Sequence, residues 1–332
     1  MTAVTMWLKA LRIVPRVDRD EWLRLDLMSK WLIATRSAVF VMTFFSAAIA
    51  GVLAYRAGQF DGALWWLVAV GLILAHAANN LLNDYIDHAR GVDKDNYFRA
   101  RYGPQPLEHG LLSKRQLLTY IAVTGGAALA VGLYLTWYRG GLTPWLLAAG
   151  VGLAVFYTWP LKHIALGEIA VLLVWGPLMV GGGYYVITGA WDWSVVWISL
   201  PYALGPTTVI FGKHIDKLAE DRGKVRTLPV LLGSRTSRLT TMVLLCLPYG
   251  LVVYLVATGV VTPVLLLVAL AVPSLLRALR VYSRPAPRTR PSGFPAERWP
   301  LWFVAHAFNH NRHFGALYLL ALLVDAVYMV NW

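Results

Sequence analysis

Apolar positions come in long runs separated by short polar stretches. Nine such runs occupy roughly 31–55, 62–83, 116–138, 141–158, 164–188, 194–213, 238–258, 261–277 and 314–331. A membrane-crossing helix needs ~20 apolar residues, and each run has that length or falls just under it. The pattern predicts an all-α, polytopic membrane protein whose nine transmembrane helices fill residues 31–332. Long polar loops are expected at about 84–115, 213–237 and 278–313, the last containing the Pro/Arg-rich stretch Arg284–Pro295. Residues 1–30 come before the first run, so no cleavable signal peptide is expected. In them Trp7, Leu8, Leu11 and Ile13 alternate with Lys9, Arg12, Arg16 and Arg19, a pattern suited to an amphipathic segment lying on the membrane surface.

Charge orders these runs. Lys and Arg in alternate connecting segments, with the run ends Lys213, Arg238 and Arg277 counted in, number 27 on one side and 2 on the other, and Arg36 is alone in the interior of a run. The positive-inside rule places the rich side in the cytoplasm, so the N-terminus is expected inside and the C-terminus outside, in a prokaryotic inner membrane. Composition agrees: 58% of the 332 residues are hydrophobic and 14% charged, against about 25% charged in soluble domains. An ordinary soluble enzyme, a disordered chain and a nucleic-acid module of the usual type are thereby excluded. The net charge of +13 reads as a topology signal. The single cysteine, Cys246, falls in an apolar run and reads as a small packed residue.

The scarce acids carry more information. Eight of the seventeen fall in two loops expected in the cytoplasm. After the second run, Asn79, Asn83 and Asp87 recur every four residues and share a helical face, with Asp84 one step round. After the sixth, Asp216 and Glu220 lie four apart with Asp221 adjacent. Acids that only offset basic loops have no reason to cluster twice at helix ends with this spacing. Hard oxygen ligands of this kind suit Mg²⁺ shared with substrate phosphates. Interleaved Lys94, Arg99, Arg101, Lys213, Lys217, Arg222, Lys224 and Arg226 suit a diphosphate. Arg36 inside a run is costly unless it is paired or faces a cavity.

These residues resemble a family. Asn83-Asp84-Tyr85-Ile86-Asp87 followed by Gly91-Val92-Asp93 is similar to the first aspartate-rich motif of UbiA-type intramembrane prenyltransferases. The Asp216–Asp221 cluster followed by Arg226-Thr227-Leu228 resembles their second motif, and Phe156-Tyr157-Thr158 with Lys162 a stretch between the two. Leu166-Gly167-Glu168-Ile169, Gly176-Pro177-Leu178 and Tyr184-Tyr185-Val186 look most like the 1,4-dihydroxy-2-naphthoate (menaquinone-pathway) branch. Two departures stand out: the second motif reads Asp216…Glu220-Asp221 with His214 ahead, and Gln105-Pro106-Leu107 stands where an arginine-proline-leucine segment is familiar.

The resemblance implies a nine-helix bundle around a central cavity open to the cytoplasm. It implies Mg²⁺-dependent transfer of a polyprenyl group from its diphosphate to an aromatic acceptor, with no nucleic acid and no obligate protein partner. Asn83, Asp84, Asp87, Asp216, Glu220 and Asp221 would hold the metal. Asp84, Asp87, Asp216, Glu220, Tyr157 and Glu168 would be catalytic, Glu168 as proton acceptor from a phenol. Arg36, Asn79, Asn80, Lys94, Arg99, Lys162, Lys213 and Lys224 would bind diphosphate. Other acceptors within the class are 4-hydroxybenzoate, homogentisate, a tetrapyrrole or a glycerol phosphate lipid. A transporter is the rival from another class, but it places ionisable groups near the midplane rather than at the boundary, and a silent scaffold is the third reading. His76 is expected to be a satisfied interhelical residue, and Asp325 structural. His306, His310 and His313 are expected on an amphipathic inner-surface helix and not on a metal.

Overall fold

The computed structural model describes residues 2–92 and 103–331, and within them every regular element is a helix. Lys94, Arg99 and Arg101 lie outside the described residues. Three short helices open the chain: α1 (Ala3–Arg12), α2 (Arg19–Arg24) and α3 (Leu27–Ala34). Then come α4 (Ser37–Arg56), α5 (Gly62–Ala89), α6 (Lys114–Arg139), α7 (Thr143–Phe156), α8 (Gly167–Thr188) and α9 (Trp193–Asp216). The single turn α10 (Leu218–Asp221) leads to α11 (Leu228–Ala257), α12 (Pro263–Tyr282) and α13 (Trp302–Asn331).

Polar caps set the helix starts. Asp61 accepts from the Leu64 amide at 2.9 Å to open α5, and Ser113 with Gln116 forms a reciprocal capping box on α6. Eight described helices are long and apolar enough to cross a membrane. The expected fourth span is the 14-residue α7. Gly140 and Gly141, both at positive φ, cut its apolar run at one end, and the chain leaves the helix at Tyr157 at the other. Eight full-length helices and one short one therefore stand where nine spans were expected.

Three starts move. The first span begins at Ser37, not 31, because Arg36 takes a left-handed conformation (φ 56, ψ 50) that breaks the helix after α3. The seventh extends back to Leu228, bending at Gly233 (φ 76). The last begins at Trp302, not 314. Its polar residues His310 and Asn311 are buried against neighbouring helices, and the Tyr249 hydroxyl lies 3.0 Å from His310 Nε2. The three histidines therefore ride on the last long apolar helix, not on a separate surface helix.

α9 and α4 are the most buried long helices and α6 the least. Tyrosine hydroxyls pin the centre: Tyr202 donates to the Met42 carbonyl at 2.8 Å and Tyr318 to that of Ile198 at 2.6 Å. In a lipid setting apolar burial does not drive helices together, so such bonds and close packing set the crossings. Within α8 the turns widen over Val174–Gly181 around Pro177, where a Cβ on Gly176 would stand 2.9 Å from that of Ala203 on α9. At the end away from α1, Arg56 reaches Asp325 (3.3 Å) and the Val260 carbonyl (2.8 Å), and Asp325 accepts from the Thr262 amide at 2.7 Å. Asp325 is thus the structural residue it was expected to be.

The N-terminal segment does more than lie on a surface. Met6, Ala10 and Trp22 are buried in a cluster with Leu81, Leu111 and Leu117, and the Ser37 hydroxyl donates to the Ala10 carbonyl at 3.0 Å. Leucines 8, 11, 23 and 27 stay exposed on the outside of this docked segment.

Candidate functional site

One cavity of about 920 Å³ runs through the bundle. Most of its wall is apolar, with Val68, Leu72, Val131, Leu147, Val174 and Leu178 along it. At one end the lining turns polar: Asn79, Asn80 and Asn83 from α5, Arg36, Lys213, and Tyr157. This is the amphiphilic shape that a hydrocarbon chain with an anionic head requires.

The first motif sits at that polar end. Asn83, Asp84 and Asp87 are 5%, 3% and 2% exposed, and carboxylates buried this deeply must be paired. Asp84 pairs with Arg36, delivered by the left-handed bend. Asp87 receives Lys162 Nζ at 2.7 and 2.6 Å on its two oxygens. Thr158 donates to Asn83 Oδ1 at 3.1 Å. The segment between α7 and α8 therefore supplies the partners, through Thr158 and Lys162, of the α5 motif. Asn79 and Asn80 donate to the Ala154 and Thr35 carbonyls (2.7 and 2.8 Å), leaving their amide oxygens for the cavity they line.

The second motif divides. Asp221 is fully buried beside Lys217, 3.0 Å from one oxygen, while its Oδ1 is buried without a hydrogen-bond partner. Burial pushes the Lys162 ammonium below the usual lysine range, Asp87 pulls it back up, and Lys217 and Asp221 act on it from the second loop. The Lys217–Asp221 pair of the second motif thus lies within electrostatic reach of the Lys162–Asp87 pair of the first.

Asp216 meets the start of another helix. It accepts from the Phe303 and Val304 amides at 2.8 and 3.0 Å, capping α13 as a helix N-terminus demands. α9 ends at Asp216 and the chain turns at Lys217, so Asp216 and Glu220 do not share a helix. Glu220 is half-buried on α10, and Lys224 is exposed beyond it.

Glu168 also finds a structural partner. His214 Nδ1 lies 2.6 Å from its Oε1, both side chains being 1% exposed, and the Leu228 amide donates to Oε2 at 3.4 Å. Glu168 joins α8, α9 and the start of α11 and is not among the cavity-lining residues. His214 as its partner had no signal in spacing. Nor did the cavity-lining pair His76 and Trp175, whose rings meet edge-on with centroids 5.3 Å apart; Thr43 lies 2.7 Å from His76 Nδ1.

No group of three or more His, Cys, Asp or Glu side chains converges on one metal position among the described residues. The donor chemistry nonetheless fits a hard divalent cation: Asn83, Asp84, Asp87 and Asp221 offer buried oxygens, one of them orphaned. Lysine and arginine supply the countercharge in this arrangement.

The sequence matches the UbiA prenyltransferase family over residues 44–304. The UbiA prenyltransferase domain-containing protein 1 homolog of Drosophila melanogaster is 26% identical over 241 residues, 68% of this chain and 64% of that protein; the chain thus spans just under two thirds of that relative's length. The 1,4-dihydroxy-2-naphthoate octaprenyltransferase of Bacillus subtilis is 25% identical over 301 residues, 88% of this chain and 91% of the relative. Among solved structures, the apo structure of a UbiA homolog from Aeropyrum pernix K1 has a TM-score of 0.63 at 19% identity, covering 85% of this chain and 97% of that one. A UbiA homolog from Archaeoglobus fulgidus bound to GPP and Mg²⁺ has a TM-score of 0.53 at 15% identity, covering 89% and 99%. The structural likeness is one of fold. Together with the family match across more than half of its length, it establishes that the chain belongs to the UbiA prenyltransferase family of integral, multi-pass membrane proteins.

Proposed function

We propose that the chain transfers a polyprenyl group from its diphosphate to an aromatic acceptor, with 1,4-dihydroxy-2-naphthoate as the acceptor of choice. One observation carries this reading: an apolar cavity of about 920 Å³ whose polar end holds Arg36 and Asn83 beside the buried Asp84 and Asp87. The Bacillus subtilis relative's name supports the naphthoate, and the Archaeoglobus fulgidus structure holds a prenyl diphosphate with Mg²⁺.

In this reading the diphosphate lies at the polar end and the hydrocarbon along Leu72, Val131 and Leu147. Mg²⁺, when bound, would take up negative charge on the diphosphate oxygens; Asn83, Asp84, Asp87 and Asp221 would hold it. Arg36 and Lys213, which line the same end, and Lys162, from its pair with Asp87, would supply positive charge to it. As the allylic C–O bond breaks, its electron pair stays on the diphosphate, and these cations stabilise that charge once the metal takes their carboxylate partners. The electron-poor allylic carbon is left in a wall containing the Tyr157 and Trp175 rings, each such contact contributing about 0.5–2 kcal/mol. The N-terminus and the basic end face the cytoplasm in this reading.

Membranes carrying the wild type, Asp84→Ala or Asp87→Ala, supplied with radiolabelled prenyl diphosphate and a panel of aromatic acceptors, test it. The wild type should yield a prenylated ring, lose activity on chelation and regain it with added Mg²⁺. Full turnover in Asp87→Ala would sink the proposed site.

A further inference from the structure

Two elements that this mechanism leaves unused build the rim of the cavity's polar end. One is α1. Its buried Ala10 is tied to Ser37, the residue after the Arg36 bend, so the flanking residues 9–12 are held beside that bend. Lys9 and Arg12 line the cavity. The other element is the start of α13, which Asp216 fixes by capping. Arg298, just ahead of that helix, and Arg312, on its third turn, line the cavity from this side. Arg16 closes the rim by donating to the Glu297 carbonyl.

Lys9, Arg12, Arg298 and Arg312 form no ion pair with a carboxylate among the described residues, and Glu297 is the one acid among the described residues lining the cavity. A cleft mouth lined by one sign of charge concentrates ligands of the opposite sign. Phe308, one turn before Arg312, also lines the cavity, and the Arg312 guanidinium carbon lies 6.0 Å from its ring centroid. An anion with a flat ring meets matched chemistry here: guanidinium forks for a carboxylate and a ring for stacking. This charge is also separate from the Arg36–Asp84 and Lys162–Asp87 pairs of the first motif.

We propose that this rim is the subsite for the carboxylate of an anionic aromatic acceptor, with Arg12 and Arg312 taking the carboxylate and Phe308 the ring. The proposal rests on the prenyl-transfer reading and assigns the residues that select its acceptor. It makes the N-terminal segment part of the substrate site, although that segment precedes the residues matched to the family.

The test uses the full chain in neutral-lipid nanodiscs, as wild type, Arg12→Ala, Arg312→Ala and Arg312→Lys. Binding of 2-naphthoate and of its neutral amide is measured directly. Prenyl transfer to 1,4-dihydroxy-2-naphthoate is measured alongside, with separate KM values for the two substrates. Each alanine variant should weaken 2-naphthoate binding and raise the acceptor KM about tenfold, as loss of one charge-assisted hydrogen bond does. Binding of the amide and the KM for prenyl diphosphate should stay unchanged, and Arg312→Lys should restore part of the loss. Equal weakening of acid and amide, a change confined to prenyl diphosphate, or no change overturns the proposal. Transfer that ignores the rim variants removes the subsite and leaves the prenyl-transfer reading. Rim-dependent naphthoate binding without any transfer does the reverse.

Discussion

Arg36 shows how much one residue decides. Its left-handed backbone (φ 56, ψ 50) costs an L-residue roughly 1–2 kcal/mol, and strain of that kind persists where surrounding structure over-determines it. Here the bend turns the chain from α3 into α4 and delivers the guanidinium to Asp84. Arg36→Gly should relieve the backbone and still lower kcat at least about hundredfold, the loss typical of a missing charge-stabilising donor; Arg36→Lys should fall between, lacking the fork. Steady-state kinetics on both variants check this. Asp216 and Asp87 separate in the opposite way. Asp216→Asn should retain most turnover while losing about 0.5–1.5 kcal/mol of stability with one of its two cap hydrogen bonds, whereas Asp87→Asn should abolish turnover. An Asp216→Asn protein that is inactive at unchanged thermal stability would return Asp216 to the metal set. The acids of both motifs were legible from their spacing, but their partners were not. Lys162 lies 75 positions from Asp87 and Phe303 lies 87 from Asp216; no local period connects them.

At the scale of elements, apolar runs located every long helix, but their ends were set by caps and close approaches. α9 and α13 cross where a Cβ on Gly212 would stand 2.9 Å from the Val304 backbone and 2.6 Å from the Tyr282 hydroxyl. Backbone cannot yield as a side chain can, so Gly212→Ala should cost about 1–3 kcal/mol, seen as a lower melting temperature in detergent. The same crossing carries the Asp216 cap, so its loosening should raise the acceptor KM as well. On the N-terminal side, Asp26 opens α3. The Ser29 hydroxyl and amide lower its carboxyl from 3.8 to about 2, and it also accepts from Trp7 of α1 at 3.1 Å. A carboxyl held below its unfolded value contributes fully above pH 3.8 and loses that contribution as pH falls through about 2. Docking of α1, followed through Trp7 fluorescence against a Trp7→Phe control, should therefore stay constant down to pH 3.8 and weaken below it.

For the whole molecule, the 27-to-2 split of basic residues predicts sidedness. On a Cys246→Ser background, Ser292→Cys should react with a membrane-impermeant maleimide only from the cytoplasm, and Gln59→Cys only from outside. The reverse pattern would invert the site as well as the topology. Helical class, membrane setting, the approximate spans and two acid-rich segments were all determined by the sequence alone. These follow from local properties: the apolar length needed to cross lipid, the four-residue helical period and the sign of charge between spans. Tertiary structure decided the rest. It paired Arg36 with Asp84 and Lys162 with Asp87, drew Asp216 away to cap α13, gave Glu168 to His214, and folded α1 over the cavity's polar end. Each of these joins segments distant along the chain, and buried charges and helix ends in a low-dielectric bundle take whichever partner packing brings within reach.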